Sequence, residues 1–331
     1  MTVRVAINGM GRIGRMVFRA GFQDRNIEFI ALNNPSTSVE DLAHFLRYDS
    51  VHRQFPVQIE TKKDALVING KTIKVLSERE PEKLPWKQLN IDVVVESTGV
   101  FLTKELAGKH IQAGAKKVLL SAPPKGPDIK TFVKGVNEHE YNKKKDDIIS
   151  NASCTTNCFA PMVKVLHDNY QIDRGFMVTV HAYTADQNIV DGNHKDLRRA
   201  RAAAVNLVPT ASGAEKAIQE IMPALKGKLH SSAVRAPVVN GSLCYFACEV
   251  KKQTSVEEIN KLFKNVSMYH LKGIVDYREE PLVSTDIIDN PYSCVFDALL
   301  TEVDGKMVKV VGWYDNEWGY SCRMIDLLKL M

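Results

Sequence analysis

The run Gly9-Met10-Gly11-Arg12-Ile13-Gly14 constrains this chain more than any other feature. It fits G-x-G-x-x-G, a weak pattern alone because glycines are common. Here it follows an apolar, strand-like stretch at 3–7 and opens a helical pattern at 15–22, inside a unit of about 30 residues, which is the context a dinucleotide site needs. The glycines permit a tight turn and close backbone approach. The helix N-terminus then offers N–H groups and a favourable dipole to a pyrophosphate. The alternative is a glycine turn with no ligand.

The pattern that follows supports a βαβ reading. Strand-like runs at 27–32, 93–95 and 118–120 alternate with helical stretches at 39–48 and 104–113, predicting a mostly parallel sheet. The stretch 59–75 differs, because alternation broken at Asn69-Gly70 signals a hairpin. After about Asn151 the strand-like runs lengthen, at 176–180, 234–239, 243–250 and 308–313, with helical patterns at 213–222 and 255–266. The expected fold class is therefore α/β: a Rossmann-type dinucleotide-binding domain plus an α+β catalytic domain with a large, mostly antiparallel sheet. A length of 331 residues fits two domains at roughly 150 residues each.

Composition excludes several classes. Apolar residues at 44% and charged residues at 25% rule out global disorder. The formal charge of +5 is too small and dispersed to argue nucleic-acid binding, and phosphorylated small molecules are an equally good reason for it. Six cysteines without a C-x-x-C pair argue against zinc or a disulfide framework, so no metal is expected. The start carries no secretory signal, and no run is long enough to cross a bilayer. The expected location is the cytoplasm.

An NAD site usually carries Asp or Glu about 20 residues beyond the glycines, bonded to the adenosine ribose. Here that position is Asn34, and no carboxylate follows until Glu40. An amide does not repel a 2′-phosphate, so NADP is admitted. Asn34 as a mere turn residue before Pro35 is an equal reading of this segment.

In the second half, 150–158 reads Ser-Asn-Ala-Ser-Cys-Thr-Thr-Asn-Cys and runs into a helical pattern at 159–170 that contains Pro161. Ser153 or Asn151 is a natural cap, which puts Cys154 in the first turn, where the dipole lowers a thiol's pKa. His181, ending a strand, is the best candidate base among nine histidines. By its residues alone, Cys154 as an inert buried thiol is an open reading. The basic run 194–201 suits a solvated helix face or a nucleic-acid patch. Arg199, with Thr184, Ser212 and Arg235, offers instead the charge-assisted donors that two phosphates need.

Together these pieces resemble glyceraldehyde-3-phosphate dehydrogenase along almost the whole chain, through AINGMGRIGR, YDSVH, ESTGVF, ISNASCTTNC, HAYTADQ, HKDLRRARAAA, VPTASGAEKA and WYDNEWGYS. The resemblance implies a dinucleotide-binding domain over 1–151, completed by a C-terminal helix at 319–331, and a catalytic domain over 152–318, assembled as a homotetramer. It implies that Cys154 is the nucleophile and His181 its base and later acid. Glyceraldehyde 3-phosphate is then oxidised through a Cys154 thioester, which inorganic phosphate cleaves to 1,3-bisphosphoglycerate. Thr184, Arg199 and Arg235 match the site for the substrate's C3 phosphate. Ser153, Thr155, Ser212 and Gly213 match the inorganic-phosphate site, with Ser212 where threonine is usual. Gly9, Gly11, Arg12, Ile13, Gly14, Thr98 and Ser121 match cofactor contacts. Asn316 matches the residue that orients the carboxamide, and Tyr320 one near the nicotinamide.

Departures from the family concern mainly the cofactor. NAD-specific members carry aspartate at Asn34 and leucine-proline at Gly192-Asn193, in a loop that reaches a neighbour's adenosine pocket. Both barriers to NADP are missing, so NADP use, alone or beside NAD, is expected. Arg53 replaces a usual glycine, and the segment 238–244 is atypical. Cys158 is a usual companion of Cys154. The nearest rival, erythrose-4-phosphate dehydrogenase, lacks the Thr184 of HAYT and the SGAEKA-type loop that this chain retains. A binding-only role, suggested by Lys143-Lys144-Lys145 and the 195–201 run, gives no reason to retain Cys154 with His181.

Overall fold

The computed structural model describes residues 2–331 and divides the chain into two units. The first unit runs to Phe132 and adds His139–Ala152 and Ser321–Met331. In chain order it holds β1 (Val3–Asn8), α1 (Arg12–Gly21), β2 (Ile27–Asn33), α2 (Val39–Arg47), β3 (Ile59–Lys62), β4 (Ala65–Ile68), β5 (Lys71–Leu76), β6 (Val93–Glu96), α3 (Lys104–Gln112), β7 (Lys117–Leu120), β8 (Lys130–Thr131) and β9 (Ile148–Ser150). They form one sheet in the order β3-β4-β5-β2-β1-β6-β7-β9-β8. Parallel pairing runs from β5 through β8, and the antiparallel β3-β4-β5 segment extends one edge.

The burial explains the sequence pattern. Val5, Ala6 and Ile7 of β1, and Val94 and Val95 of β6, are completely buried, as central parallel strands covered on both faces must be. Asn69 and Gly70 take φ of 46° and 80°, the paired left-handed values a tight hairpin turn requires, and they join β4 to β5. Ser38 caps α2 by accepting the Asp41 amide. Helix α1 begins three residues before the expected start, directly at the glycine loop.

The second unit comprises Val133–Glu138 and Ser153–Tyr320. It contains α4 (Cys154–Tyr170), β10 (Ile172–Ala182), β11 (Val208–Ala211), α5 (Ala214–Ile221), β12 (Leu229–Ala236), β13 (Ser242–Val250), α6 (Val256–Met268), β14 (Val275–Arg278), β15 (Cys294–Asp297), β16 (Glu302–Asp304) and β17 (Met307–Tyr314). Its sheet runs β11-β12-β10-β13-β17-β15-β14, with β16 on β17. Most pairs are antiparallel; β10 with β12 and β14 with β15 are parallel. The α4 helix lies on this sheet, its Phe159 ring edge-on to Phe246 at 4.8 Å. It runs unbroken across Pro161.

Helix α7 (Trp318–Leu330) ends the chain, and its residues from Ser321 onward belong to the first unit. There it lies against α1 so closely that a Cβ on Gly21 would sit 2.6 Å from Ile325 Cδ1. Lys329 and Asp24 add an ion pair at 3.1 Å. No described helix is long and apolar enough to cross a membrane.

Two sequence departures acquire physical reasons. Arg53 has φ of 58°, a left-handed conformation that glycine adopts without steric cost, and its carbonyl accepts from Arg19 and the Asp49 amide. In the 238–244 segment, Gly241 has φ of 81°, and a Cβ there would stand 2.0 Å from the Ser284 carbonyl oxygen. Only glycine fits. The basic run 194–201 is not a helix; it lies in an irregular stretch between β10 and β11.

Candidate active site

The glycine loop of the first unit is built for close approach. Gly9 has φ of 96°, and a Cβ on it would lie 2.8 Å from the backbone of Ser97 and Thr98. A Cβ on Gly14 would meet the Gly9 carbonyl oxygen at 2.0 Å, whereas Gly11 faces open space. Gly11 is the N-cap of α1 and brings no side chain to its first-turn amides. Beside the loop is a cavity of about 430 Å³ lined by Gly9, Gly11, Asn34 and Thr98, among others. An anionic dinucleotide fits such a cradle: space where a side chain would intrude, next to an uncapped helix N-terminus.

Arg12 and Ile13 occupy the first turn of α1, where their amides belong to this N-terminus. The Arg12 side chain makes a bidentate ion pair with Asp49. Burial opposes ionisation of Asp49, but Arg12 and the His52 and Val51 amides outweigh it and hold the carboxyl well below its usual range. Ser121 follows β7 and donates its amide to the Glu96 carbonyl.

Asn34 both makes a turn and faces the cavity: its Nδ2 donates to Thr37 Oγ1 at 2.6 Å. Sequence reasoning missed Arg79. This exposed guanidinium lines the same cavity and has no hydrogen-bond or ion-pair partner among the described residues. It also missed the buried polar chain beneath the loop. Trp86 Nε1 donates to His110 Nδ1 (3.0 Å), which fixes His110 Nε2–H toward Glu96 (3.0 Å). Glu96 also accepts from Asn8 (2.6 Å) and the Thr98 amide (2.8 Å), and Asn8 accepts from Asn33 (2.7 Å). Asn33 in turn pairs with both backbone groups of Glu78, next to Arg79. The polar residues closing β1, β2 and β6, an unusual place for buried polar groups, are the signal that could have revealed it.

In the second unit, Ser153 caps α4 by accepting the Thr156 amide (3.0 Å), so Cys154 is the first helical residue. Ala152 just before it is left-handed at φ 57°, a bend that presents the helix start. Cys154 Sγ lies 3.4 Å from His181 Nε2 at the end of β10. His181 and Arg235 are register partners on the parallel strands β10 and β12, and Arg235 Nη1 contacts His181 Nδ1. Nδ1 also lies 2.7 Å from the Ala182 carbonyl oxygen. Arg235 Nε is buried and has no partner among the described residues, so it is free to donate to an acceptor.

These contacts reverse one sequence-based expectation. Burial pushes the Cys154 thiol up to about 11, against the pull of Arg235 and the Thr155 amide. Burial and then the Arg235 charge push His181 down to about 3. The helix terminus does not win over desolvation. The pair stands as neutral thiol and neutral imidazole, with His181 as a proton acceptor rather than a standing cation.

A second layer holds these groups. Tyr314 Oη bonds both Thr155 Oγ1 (2.9 Å) and Thr179 Oγ1 (2.8 Å), with its ring edge-on to His181. Ser242 accepts the Ala182 amide (3.0 Å) and donates to Asn316 Oδ1 (2.7 Å), while Asn240 accepts the Asn316 amide (3.2 Å). The atypical 238–244 segment thus positions Asn316 and the strand end that carries His181.

The remaining predicted residues are less tightly gathered. Arg199 is held by Asp186 and Thr210, yet stands near enough to Arg235 to act on its charge. Thr184 caps a turn with Gln187. Ser212 accepts the Ala214 amide, and Gly213 is the N-cap of α5 without a side-chain bond. Gly192 and Asn193 are exposed on the irregular stretch, and Tyr320 is buried in α7. The structure brings Cys154, His181 and Arg235 into direct contact; it shows no direct bond from them to Thr184, Ser212 or Gly213.

Comparison with known proteins accords with this geometry. Residues 3–104 match the glyceraldehyde 3-phosphate dehydrogenase NAD binding domain, and residues 153–316 match the C-terminal domain of the same enzyme. The chain is 53% identical over 328 residues to glyceraldehyde-3-phosphate dehydrogenase of Geobacillus stearothermophilus, covering 99% of this chain and 97% of that one. It is 51% identical to glyceraldehyde-3-phosphate dehydrogenase 2 of Bacillus subtilis (strain 168), covering 99% of this chain and 96% of the relative. Family domains, full-length identity and the Cys154–His181 pair agree: the chain belongs to the glyceraldehyde-3-phosphate dehydrogenase family.

Proposed function

We propose that this chain oxidises glyceraldehyde 3-phosphate and transfers the acyl group to inorganic phosphate, reversibly, with Cys154 as nucleophile and His181 as base and acid. The 3.4 Å approach of Cys154 Sγ to His181 Nε2 carries this reading. As the thiol attacks the aldehyde carbon, Nε2 takes its proton and returns it to the forming alkoxide, leaving a thiohemiacetal on Cys154. His181 then withdraws the hydroxyl proton as the carbon is oxidised to a thioester. Bound NAD(P) supplies the oxidising power by accepting a hydride. Phosphate attacks the thioester, and Cys154 leaves as thiolate and regains a proton from His181.

Arg235 and Arg199, with Thr184, hold the substrate's C3 phosphate; Ser153, Thr155, Ser212 and Gly213 serve the attacking phosphate. A phosphate dianion against Arg235 also offsets the positive charge that depresses His181. Substrate binding thereby makes His181 a better base when it is needed. Ser242 orients the Asn316 amide, the residue assigned to the carboxamide.

The glycine loop, Thr98 and Ser121 hold the dinucleotide, and NADP is accepted. Asn34 places no charge against a 2′-phosphate, and the unpartnered Arg79 on the same cavity is a ready counter-ion. Gly192 and Asn193 bring no bulk. The exposed Ile189, Val190, Leu197, Val205 and Leu207 of the same irregular stretch give a homotetramer apolar surface to cover. Steady-state kinetics test the cofactor reading. Comparable kcat/KM for NADP and NAD supports it, whereas a preference for NAD above about a hundredfold overturns it.

A further inference from the structure

The buried polar chain beneath the glycine loop takes no part in the reaction steps, yet it ends on both walls of the cofactor cavity. Strand register sets its centre: Asn33, Asn8 and Glu96 are paired neighbours at the carboxyl ends of β2, β1 and β6. In an open parallel sheet this is the edge that faces a ligand. Glu96 is the hub. Its carboxylate accepts the Thr98 amide (2.8 Å) and the Thr98 hydroxyl, and that hydroxyl accepts the Val100 amide (3.1 Å). The segment so held abuts the glycine loop, where Ser97 Oγ donates to the Gly9 carbonyl oxygen at 2.6 Å. On the other side, Asn8 links Glu96 to Asn33, and Asn33 bonds both backbone groups of Glu78, the neighbour of Arg79. Thr98, Glu78 and Arg79 all line the cavity.

His110 reaches this hub from behind. It stands on α3, and it and Trp86 are completely buried. An indole N–H only donates, so His110 Nδ1 accepts from Trp86 Nε1 (3.0 Å). The ring hydrogen therefore sits on Nε2, facing Glu96 at 3.0 Å. A helix residue and an indole thereby decide where the Glu96 carboxylate points. We propose that His110 is a positioning residue for the dinucleotide. Through Glu96 it fixes the segment carrying Thr98, and through Asn8 and Asn33 the segment carrying Arg79. Both walls are set before the cofactor arrives, so binding does not have to order them. A side chain that merely filled the space behind Glu96 would give the carboxylate no direction.

The proposal rests on the cofactor reading above, which puts Thr98 and Arg79 at the dinucleotide, so wild-type binding is measured first. His110→Phe keeps a ring and removes both nitrogens, leaving Glu96 a donor short and the Trp86 indole without its acceptor. The calorimetric Kd of the full-length protein for NAD and NADP should rise about tenfold or more. KM for the cofactor should rise with it, while kcat at saturating cofactor falls less than about threefold. His110→Gln is the rescue. Its amide can accept from Trp86 through Oε1 and donate to Glu96 through Nε2, and should return Kd to within about threefold of wild type. A space-filling role predicts the opposite order, because Phe matches the ring and Gln does not. Phe equal to wild type, or Gln no better than Phe, overturns the proposal. Should His110→Phe not fold, wild type alone decides. Hydrogen exchange in the cofactor-free protein should find the Thr98 and Glu78 amides protected, and free exchange at either until NAD or NADP is added overturns the proposal. Normal wild-type binding with no loss in His110→Phe overturns the positioning role alone. Wild type that binds neither dinucleotide overturns the cofactor reading itself, and the proposal with it.

Discussion

His181 and Arg235 stand side by side at one register of parallel β10 and β12, so a guanidinium presses on one imidazole nitrogen while the other faces Cys154 Sγ at 3.4 Å. The cation and burial together keep His181 neutral, and burial keeps Cys154 a thiol.

Alkylation of Cys154 in the ligand-free protein should therefore rise with pH toward about 11. Glycerol 3-phosphate, an unreactive phosphate dianion, should accelerate alkylation at pH 7 at least tenfold by drawing the Arg235 charge from His181. Iodoacetamide kinetics across pH, monitored at Cys154, check both. A plateau below pH 8 without ligand contradicts the neutral pair.

Replacing His181 by Gln removes the proton acceptor and should lower kcat by about 10²–10⁴-fold with little change in KM. Single-turnover reduction of the cofactor is the measurement. An unchanged rate would remove His181 from the chemistry.

The same histidine links stability to acid. Its folded pKa of about 3 lies below its unfolded value of 6.5, so the unfolded chain binds the extra proton first. The contribution is complete above pH 6.5 and is lost as pH falls toward 3, amounting to about 2 kcal/mol by pH 5. Urea unfolding of wild type and H181Q at pH 7 and pH 5 should show wild type losing more stability, by about that amount.

At Asn34, substitution by Asp places a charge on the cavity and should lower kcat/KM for NADP about tenfold or more relative to NAD. Arg79→Gln should act in the same direction. Paired kinetics with both cofactors check this, and equal losses for both would remove these residues from discrimination.

The left-handed Arg53 also gives a simple stability test. Arg53→Val puts a branched Cβ into that conformation and should cost about 1–2 kcal/mol, whereas Arg53→Gly should be neutral or mildly stabilising. Chemical denaturation of the three proteins checks the order.

Local chemistry made much of this legible in sequence. The glycine loop and the Asn69-Gly70 hairpin are each decided within a few residues and stand where the pattern put them, and of the two caps the sequence offered for α4, Ser153 is the one used. The protonation of Cys154 was not legible, because desolvation comes from residues distant in the chain and outweighs the local dipole. The Glu96–His110–Trp86 chain and the Ser242–Asn316 bond also join residues 14 to 74 positions apart, which only the tertiary fold brings together. Arg79 carried no periodic signal; only the cavity wall identifies it.

The most direct test of the account is a single turnover without inorganic phosphate. With glyceraldehyde 3-phosphate and NAD(P), the protein should reduce about one equivalent of cofactor per subunit and stop, with a phosphoglyceryl thioester on Cys154 visible by mass spectrometry. Added phosphate should discharge it and restart turnover. Sustained oxidation without phosphate, or no acyl group on Cys154, would contradict the account.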